Sequence, residues 1–121
     1  MDPSFRIYEM DHWNRKNSTF AVLDHHTYTA DVHIPQNQKL NFKLEYSARD
    51  TYNLPNLSPA SWANLVNHWT AGQDDEGFQE YYRNKYHHNI NQSCGLTCKN
   101  ETLCYLNMGL SNSNAKPLLC T

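Results

Sequence analysis

The segment SPASWANLVNHW, residues 58–69, determines how the second half of this 121-residue chain folds. Ser58 is a good N-cap, because its hydroxyl can accept a hydrogen bond from a free backbone N–H, and Pro59 suits the first helical position. Apolar side chains then recur at the i, i+3, i+4, i+7 spacing of one helix face: Trp62, Leu65, Val66 and Trp69. The segment therefore predicts an amphipathic helix whose apolar stripe lies in a core.

The next segment predicts a second helix. It spans residues 75–86, and Asp74 and Asp75 are favourable at its positive N-terminal end. Its apolar stripe consists of Phe78, Tyr81, Tyr82 and Tyr86. This regular spacing, like that of Trp62 and Trp69, favours core packing over the alternative of a lipid-contact surface.

Residues 40–52 fit two periods. Apolar side chains at positions 40, 42, 44 and 46 alternate as in a strand, whereas those at 44, 48 and 52 recur every four residues as in a helix. Because Glu45, Ala48 and Arg49 are good helix formers, we predict a helix here. A short final helix is predicted over residues 99–108.

The first third of the chain predicts strands. The run Phe5–Met10 is rich in β-branched and aromatic residues, and Phe20–Leu23 is a second apolar run. Side chains over residues 27–34 alternate between apolar and polar, which predicts a strand with one buried face. Together these runs predict a β-hairpin with a long loop over residues 11–18. Because a lone hairpin is marginally stable in water, it needs another surface on which to pack.

Composition excludes several classes of protein. A net charge of −2 argues against a nucleic-acid binder, whose affinity depends on dense Lys and Arg facing phosphates. The apolar runs are far shorter than a membrane span. The chain length suits one compact domain, and 12% aromatic residues supply enough apolar surface for its core.

Cysteines cluster towards the C-terminus, at Cys94, Cys98, Cys104 and Cys120. Their spacing lacks the paired Cys-x2-Cys units of a zinc site, so two structural disulfides are predicted, and four cysteines permit three connectivities. We predict local pairing, Cys94–Cys98 and Cys104–Cys120. Closing the second loop, of about fifteen residues, is expected to stabilise the fold by about 3 kcal/mol.

Four Asn-x-Ser/Thr sequons make candidates for glycosylation of Asn17, Asn56, Asn91 and Asn100. Together with the clustered cysteines they predict an oxidising location, either secreted or lysosomal and luminal. The N-terminus has neither the basic nor the apolar region of a signal peptide. We therefore predict that the chain is a fragment of a longer secreted precursor, with Met1 added at the cut.

Seven histidines are the first candidates for metal binding: His12, His25, His26, His33, His68, His87 and His88. A metal site needs several ligands that converge on one point. His25 and His26 are neighbours on a predicted strand and point to opposite faces, so they cannot easily share one ion. We predict surface or packing roles for the histidines and no metal ligand in this chain.

Other kinds of catalytic site also lack support in the sequence. There is no Gly-x-Ser-x-Gly elbow, the predicted disulfides leave no free thiol, and the glycines are too scattered for a phosphate loop. The carboxylates of Asp74, Asp75 and Glu76 are better explained as charges at a helix N-terminus than as an acid–base pair. No catalytic and no cofactor-binding residue is therefore predicted.

Several stretches of the chain resemble the C-terminal region of the acid sphingomyelinase family. The most specific is LEYSARDTYNLP, residues 44–55, which continues into LSPASW, residues 57–62. The others are DPSFRIYEMD (2–11), VLDHHTY (22–28), FQEYY (78–82) and the cysteine cluster. The resemblance covers nearly the whole chain, with the stretches in the family's order and at similar spacing.

In this family a calcineurin-like metallophosphoesterase domain binds zinc and cleaves a phosphodiester, which for sphingomyelin yields ceramide and phosphocholine. The zinc ligands lie upstream of the matched region, so the resemblance implies no cofactor in this chain. It implies that the hairpin completes or flanks the catalytic β-sandwich, that the helical part packs against it, and that the cysteines pair locally. Residues 29–34, TADVHI, lack the Asn-Leu-Thr segment expected there, and the last cysteine gap is long. A parent enzyme that cleaves nucleotides or other esters is therefore an alternative.

These observations predict an α+β, mainly helical fold. A β-hairpin over residues 1–35 resembles the end of a metallophosphoesterase sandwich, and a small disulfide-stapled helical bundle follows over residues 36–121, in one compact unit. We predict a non-catalytic accessory domain of a hydrolase in sphingolipid metabolism. It would pack on the zinc catalytic domain, in cis or as a separate chain, and shape substrate access.

Lipid or membrane contact is predicted only through this parent, and no nucleic acid is predicted as a partner. One alternative is a standalone secreted or luminal binding module, and another is a complete small metal-dependent hydrolase.

Overall fold

The structure, a computed structural model, describes residues 2–12, 20–88 and 90–108. The elements, in chain order, are β1 (Ser4–Met10), β2 (Val22–Thr29), β3 (Lys43–Ser47), α1 (Ala48–Tyr52), α2 (Pro59–Thr70), α3 (Asp75–Lys85) and α4 (Leu96–Met108). Strands come first and helices follow, which confirms the predicted α+β fold class. The chain forms two compact units, residues 1–61 and 62–121, a division that lies later than the predicted one between residues 35 and 36.

The first unit contains an antiparallel sheet with the strand order β1-β2-β3. The predicted hairpin corresponds to β1 and β2, but the third strand was not predicted. The helix predicted over residues 40–52 is therefore wrong in its first half, where the alternating side chains of Leu44 and Tyr46 lie in β3. Pairing with β2 supplies backbone hydrogen bonds that no local propensity reveals. The helix begins only at Ala48. Ala48 and Arg49 are the good helix formers that lie in α1.

The strand predicted over residues 27–34 is wrong at its C-terminal end, because β2 ends at Thr29. The backbone N–H of Ala30 donates to the Pro3 carbonyl at 3.1 Å, just before β1 begins. β1 begins at Ser4, so this bond lies at the end of its pairing with β2. The Asp31 carboxylate accepts a hydrogen bond from the His33 N–H at 2.7 Å, a local contact that competes with a strand.

The second unit has an aromatic core. Trp69 on α2 and Phe78 on α3 are fully buried, and their rings meet edge to face with centroids 5.6 Å apart. Tyr81 adds a third ring, 5.3 Å from that of Trp69. Asp74 caps α3 by accepting a hydrogen bond from the Gly77 N–H at 3.2 Å, and it also accepts one from Trp69 Nε1 at 3.3 Å. The aromatic stripes of α2 and α3 thus supply core residues, as their spacing predicts.

The segment before α4 is anchored to α3 by a side chain and to α4 by a disulfide. Gln79 accepts a hydrogen bond from the Cys94 N–H and donates one to the Cys94 carbonyl, both at 2.8 Å. Cys94 and Cys98 form a disulfide, one of the two pairs expected. Cys104 is also disulfide-bonded, and its predicted partner Cys120 lies outside the described residues. α4 begins at Leu96, three residues before the predicted helix start.

Candidate interaction surface

The register of the strands divides the sheet into two faces with different chemistry. Side chains of residues paired across neighbouring strands lie on the same face. Phe5 pairs with Tyr28, and Tyr28 with Leu44, so these three share one face. Tyr8 pairs with His25 and lies on the other face. One pairing pattern therefore determines which side chains this sheet can present to another surface.

The first face is apolar and exposed. We call its four large apolar side chains the apolar sheet face: Phe5 (45% exposed), Ile7 (50%), Phe42 (40%) and Leu44 (54%). The Phe5 ring stacks on Tyr28 and meets Phe42 edge to face, each with centroids 5.1 Å apart. Contiguous exposed apolar side chains of this kind mark an interaction site on a protein surface.

β1 carries this face to an outer edge of the sheet. Among the described strands it pairs only with β2, and every residue of Ser4–Met10 is exposed. An outer strand with unpaired backbone groups can accept another strand. The apolar sheet face and the β1 edge therefore meet along one side of the first unit.

The opposite face of the sheet buries His25. Its ring lies between Tyr8 and Tyr46, with centroids 5.7 and 5.6 Å away, and its Nδ1 makes no hydrogen bond within the described part of the chain. Burial lowers the pKa of His25, the charge of Arg6 lowers it further, and Asp24 acts in the opposite direction. Arg6 in turn donates hydrogen bonds to the Thr27 hydroxyl at 2.9 Å and the Tyr46 hydroxyl at 3.1 Å. The arrangement favours a neutral His25 that packs in the unit.

A group of polar side chains lies at one end of the apolar sheet face. We call Glu9, Asp24 and His26 the polar cluster. His26 Nε2 is 2.9 Å from a Glu9 carboxylate oxygen and 3.9 Å from Asp24 Oδ2, while Nδ1 is 2.6 Å from the Ser47 hydroxyl. Asp24 Oδ1 accepts hydrogen bonds from the His25 N–H at 2.8 Å and the Arg49 N–H at 3.0 Å. The cluster therefore joins all three strands and the start of α1.

The structure separates the histidines much as the sequence predicts. His25 and His26 face opposite sides of the sheet, and His68 is exposed, with Nδ1 2.6 Å from Gln73 Oε1. His88 Nε2 is 2.8 Å from Asn84 Oδ1 after the end of α3. Among the described residues, no group of three potential metal ligands contains two histidines.

The polar cluster was not predicted from the sequence. His26 was considered only beside its neighbour His25, whereas its partners are Glu9 on another strand and Asp24 two residues earlier. A second group of potential ligands, Asp2, Asp31 and His33, lies in loops and is more exposed. Strand register brings the first group together, and no local spacing indicates it.

The glycosylation candidates occupy different settings. Asn91 and Asn100 are exposed. Asn56 Oδ1 accepts hydrogen bonds from the Ser58 N–H at 3.0 Å and the Ser61 hydroxyl at 2.7 Å, next to the start of α2. Ser58 itself accepts from the Ser61 N–H at 3.2 Å, which agrees with its predicted N-cap role. Asn17 lies outside the described residues, and glycosylation remains a prediction for all four.

The second unit contains a groove between α3 and α4 with a volume of about 220 Å³. Tyrosines dominate its lining, with Tyr82, Tyr86 and Tyr105 among them. Tyr82 and Tyr86 meet edge to face, and Lys85 Nζ lies 5.5 Å from the Tyr86 ring centroid. The Lys85 ammonium thus already lies against one of the aromatic faces.

None of the described helices is both long and apolar enough to cross a membrane.

Comparison with known proteins identifies the family. A family model described as the acid sphingomyelin phosphodiesterase C-terminal region matches residues 1–116. Sphingomyelin phosphodiesterase from Homo sapiens is 36% identical over 99% of this chain. Sphingomyelin phosphodiesterase 1 from Caenorhabditis elegans is 33% identical, and sphingomyelin phosphodiesterase A from Dictyostelium discoideum 30%, each over 93% of the chain.

The chain matches only a small part of each relative. It spans 18% of the human and Dictyostelium proteins and 19% of the Caenorhabditis protein. The matched part is thus one region of larger phosphodiesterases. By the family model and by these relatives, the chain belongs to the acid sphingomyelin phosphodiesterase C-terminal region family.

Proposed function

We propose that this chain is the non-catalytic C-terminal accessory region of an acid sphingomyelinase-like phosphodiesterase, and that its apolar sheet face packs on the zinc-dependent catalytic domain. The observation that carries the proposal is the exposure of Phe5, Ile7, Phe42 and Leu44 on one face of a sheet. Apolar side chains gain about 1.5–3 kcal/mol each when they are fully buried. Because these side chains are not fully buried in the free chain, the surface that they form is suited to an interface.

The size of the relatives supports a catalytic domain as the partner. The matched region makes up less than a fifth of each relative named above. Packing between the parts of one such protein would bury the apolar sheet face permanently, and permanent interfaces are more apolar than transient ones. The outer edge of β1, beyond which no described strand lies, would allow the sheet to continue into, or lie against, a sheet of the partner.

The proposed role extends to the chemistry of the whole protein. The catalytic domain would hold the zinc and cleave a phosphodiester, with sphingomyelin as the expected substrate. This region would stabilise that domain and shape the approach to its active site, and any lipid contact would come through the assembled protein. Disulfide-bonded Cys94, Cys98 and Cys104 fit a secreted or lysosomal location, in which sequons such as those of Asn91 and Asn100 can be glycosylated.

An activity assay of the isolated chain tests the non-catalytic part of the proposal. The purified chain, with its disulfides intact and with excess zinc, is assayed for hydrolysis of sphingomyelin and of a chromogenic phosphodiester. We expect no turnover above that of a heat-denatured sample. Zinc-dependent turnover that is lost in a His87→Gln variant would contradict the proposal and favour a complete small hydrolase.

A measurement of oligomeric state separates this proposal from the alternative of a standalone binding module. A standalone module is expected to cover the apolar sheet face itself, as a stable dimer at low concentration. An accessory region is expected to remain monomeric and to bind a fluorescent probe of apolar surfaces. Sedimentation of the unmodified chain and of an Ile7→Thr variant distinguishes the two, because only self-association through this face responds to the substitution.

A further inference from the structure

The polar cluster contains the donor set of a metal site, independently of the proposed function. We propose that Glu9, Asp24 and His26 bind one zinc ion on the surface of the sheet. Their ligand atoms, one imidazole nitrogen and two carboxylate oxygens, all lie within 4.8 Å of one another. Zinc takes nitrogen and oxygen ligands of these types and is commonly held by three protein ligands with one open position.

The scaffold of the cluster is rigid because it is a sheet. Asp24 and His26 are two residues apart on β2 and share a face. Glu9 on β1 pairs directly with Asp24. Strand pairing therefore places all three side chains side by side without the help of a loop. The register shift between Glu9 and Met10 lies at the same point of β1. Irregularities of this kind commonly redirect a side chain at a functional site.

The distances between the ligand atoms suit a zinc ion after small side-chain movements. Ligand bonds of about 2.0–2.1 Å place neighbouring ligands of a tetrahedral ion about 3.3 Å apart. His26 Nε2 lies 2.9 Å from the Glu9 carboxylate and 3.9 Å from Asp24 Oδ2, one distance below this value and one above it. A small shift of the exposed Glu9 carboxylate would lengthen the first distance, and a small rotation of the His26 ring towards Asp24 would shorten the second.

Asp24 is the most buried of the three proposed ligands. Its side chain is only 9% exposed, and Oδ1 already accepts two backbone hydrogen bonds. Among the described residues, Oδ2 accepts no hydrogen bond and is directed at His26 Nε2, 3.9 Å away. A carboxylate held this far out of water is stabilised by a positive charge nearby. A divalent ion between the three side chains would engage Oδ2 of Asp24 together with His26 and Glu9.

The surroundings of the cluster hold the ligands in place, as in known zinc sites. Ser47 lies 2.6 Å from His26 Nδ1, so the hydroxyl can accept the Nδ1 proton and leave the Nε2 lone pair for the ion. Backbone N–H groups of His25 and Arg49 fix the Asp24 carboxylate. Contacts of this second layer typically change metal affinity by about 10–100-fold when they are removed.

Zinc titration of the purified, disulfide-intact full chain by isothermal calorimetry tests the proposal. We expect one zinc ion per chain, with affinity reduced at least tenfold in His26→Gln and in Glu9→Gln, and reduced by about tenfold in Ser47→Ala. His33→Gln is the matched control, because it removes a histidine from the other group of potential ligands. Magnesium, which prefers oxygen ligands alone, should not displace the zinc.

Each outcome of the zinc titration either supports or overturns the proposal. Binding of less than one zinc per chain, or binding that is unchanged in His26→Gln, would overturn the proposal, as would a loss confined to His33→Gln. Circular dichroism checks that each variant is folded. Changes in histidine ring signals by NMR provide a second measurement on the unmodified chain, in which zinc should shift the signals of His26 first.

Discussion

The proposed interface makes a quantitative prediction about the double variant Ile7→Thr/Leu44→Thr. In the free chain these side chains remain 50% and 54% exposed. Full burial of such a side chain is worth about 1.5–3 kcal/mol, so covering the remaining half contributes about 1 kcal/mol each. The double variant should therefore bind the catalytic domain about 2 kcal/mol more weakly, or about 30-fold in Kd. The half of each side chain that is already buried is worth about as much, so the free energy of unfolding of the chain should decrease by about 1 kcal/mol per site.

The assay measures binding of the chain to the catalytic part of human sphingomyelin phosphodiesterase, prepared without its own C-terminal region. Leu96→Thr is the matched control, since Leu96 is 76% exposed but belongs to α4 in the second unit. Affinity of the double variant within twofold of the unmodified chain would refute the reasoning. So would an equal loss in the Leu96 control, which would indicate a general loss of apolar surface.

Substitutions at three further positions test the account of the fold by urea unfolding. Because the folded-state pKa of His25 is lowered, the unfolded chain takes up the proton first as the pH falls through about 6.5. The free energy of unfolding should thus decrease from pH 7.5 to pH 5.5, by less in His25→Phe; equal slopes would contradict a buried neutral imidazole. Phe78→Ala should destabilise the chain by about 3–5 kcal/mol, because this fully buried ring leaves a cavity, and a loss below about 1 kcal/mol would be inconsistent with its core position. Asp74→Ala should cost about 1–2 kcal/mol through loss of the α3 cap, and Asp74→Asn, which can keep the cap and its left-handed backbone, should cost less.

The helices could be predicted from the sequence because their signals are local. Ser58 and Asp74 lie at the starts of α2 and α3, and the apolar stripes that follow them include Trp69 and Phe78, both buried. Capping and stripe spacing each depend on residues within two helical turns. These local signals therefore do not depend on how the rest of the chain packs.

The third strand could not be predicted because its signal is not local. Residues 40–52 fit both a strand and a helix period, and helix propensity favoured the helix around Ala48 correctly. The earlier part of this segment forms a strand because the backbone groups on the second edge of β2 pair with residues 43–47. Strand pairing between segments about twenty residues apart is invisible to any window that reads one segment at a time.

The two candidate sites differ in the same way. The sequence predicted that the hairpin needs another surface on which to pack, and the apolar sheet face is the part of the sheet that is left exposed for such a contact. The polar cluster was missed because Glu9 and Asp24 meet only through the register of β1 and β2. That register depends on pairing across a long connection whose sequence carries no turn signal that specifies it.

The central claim, that this region packs on a catalytic domain through its sheet, is tested most directly by hydrogen exchange. The chain is measured alone and in the presence of the catalytic part of human sphingomyelin phosphodiesterase. The account predicts slower exchange of backbone amides in β1 and β3, Ser4–Met10 and Lys43–Ser47, with α4 unchanged. Protection confined to α3 and α4, or no protection in any segment, would contradict it.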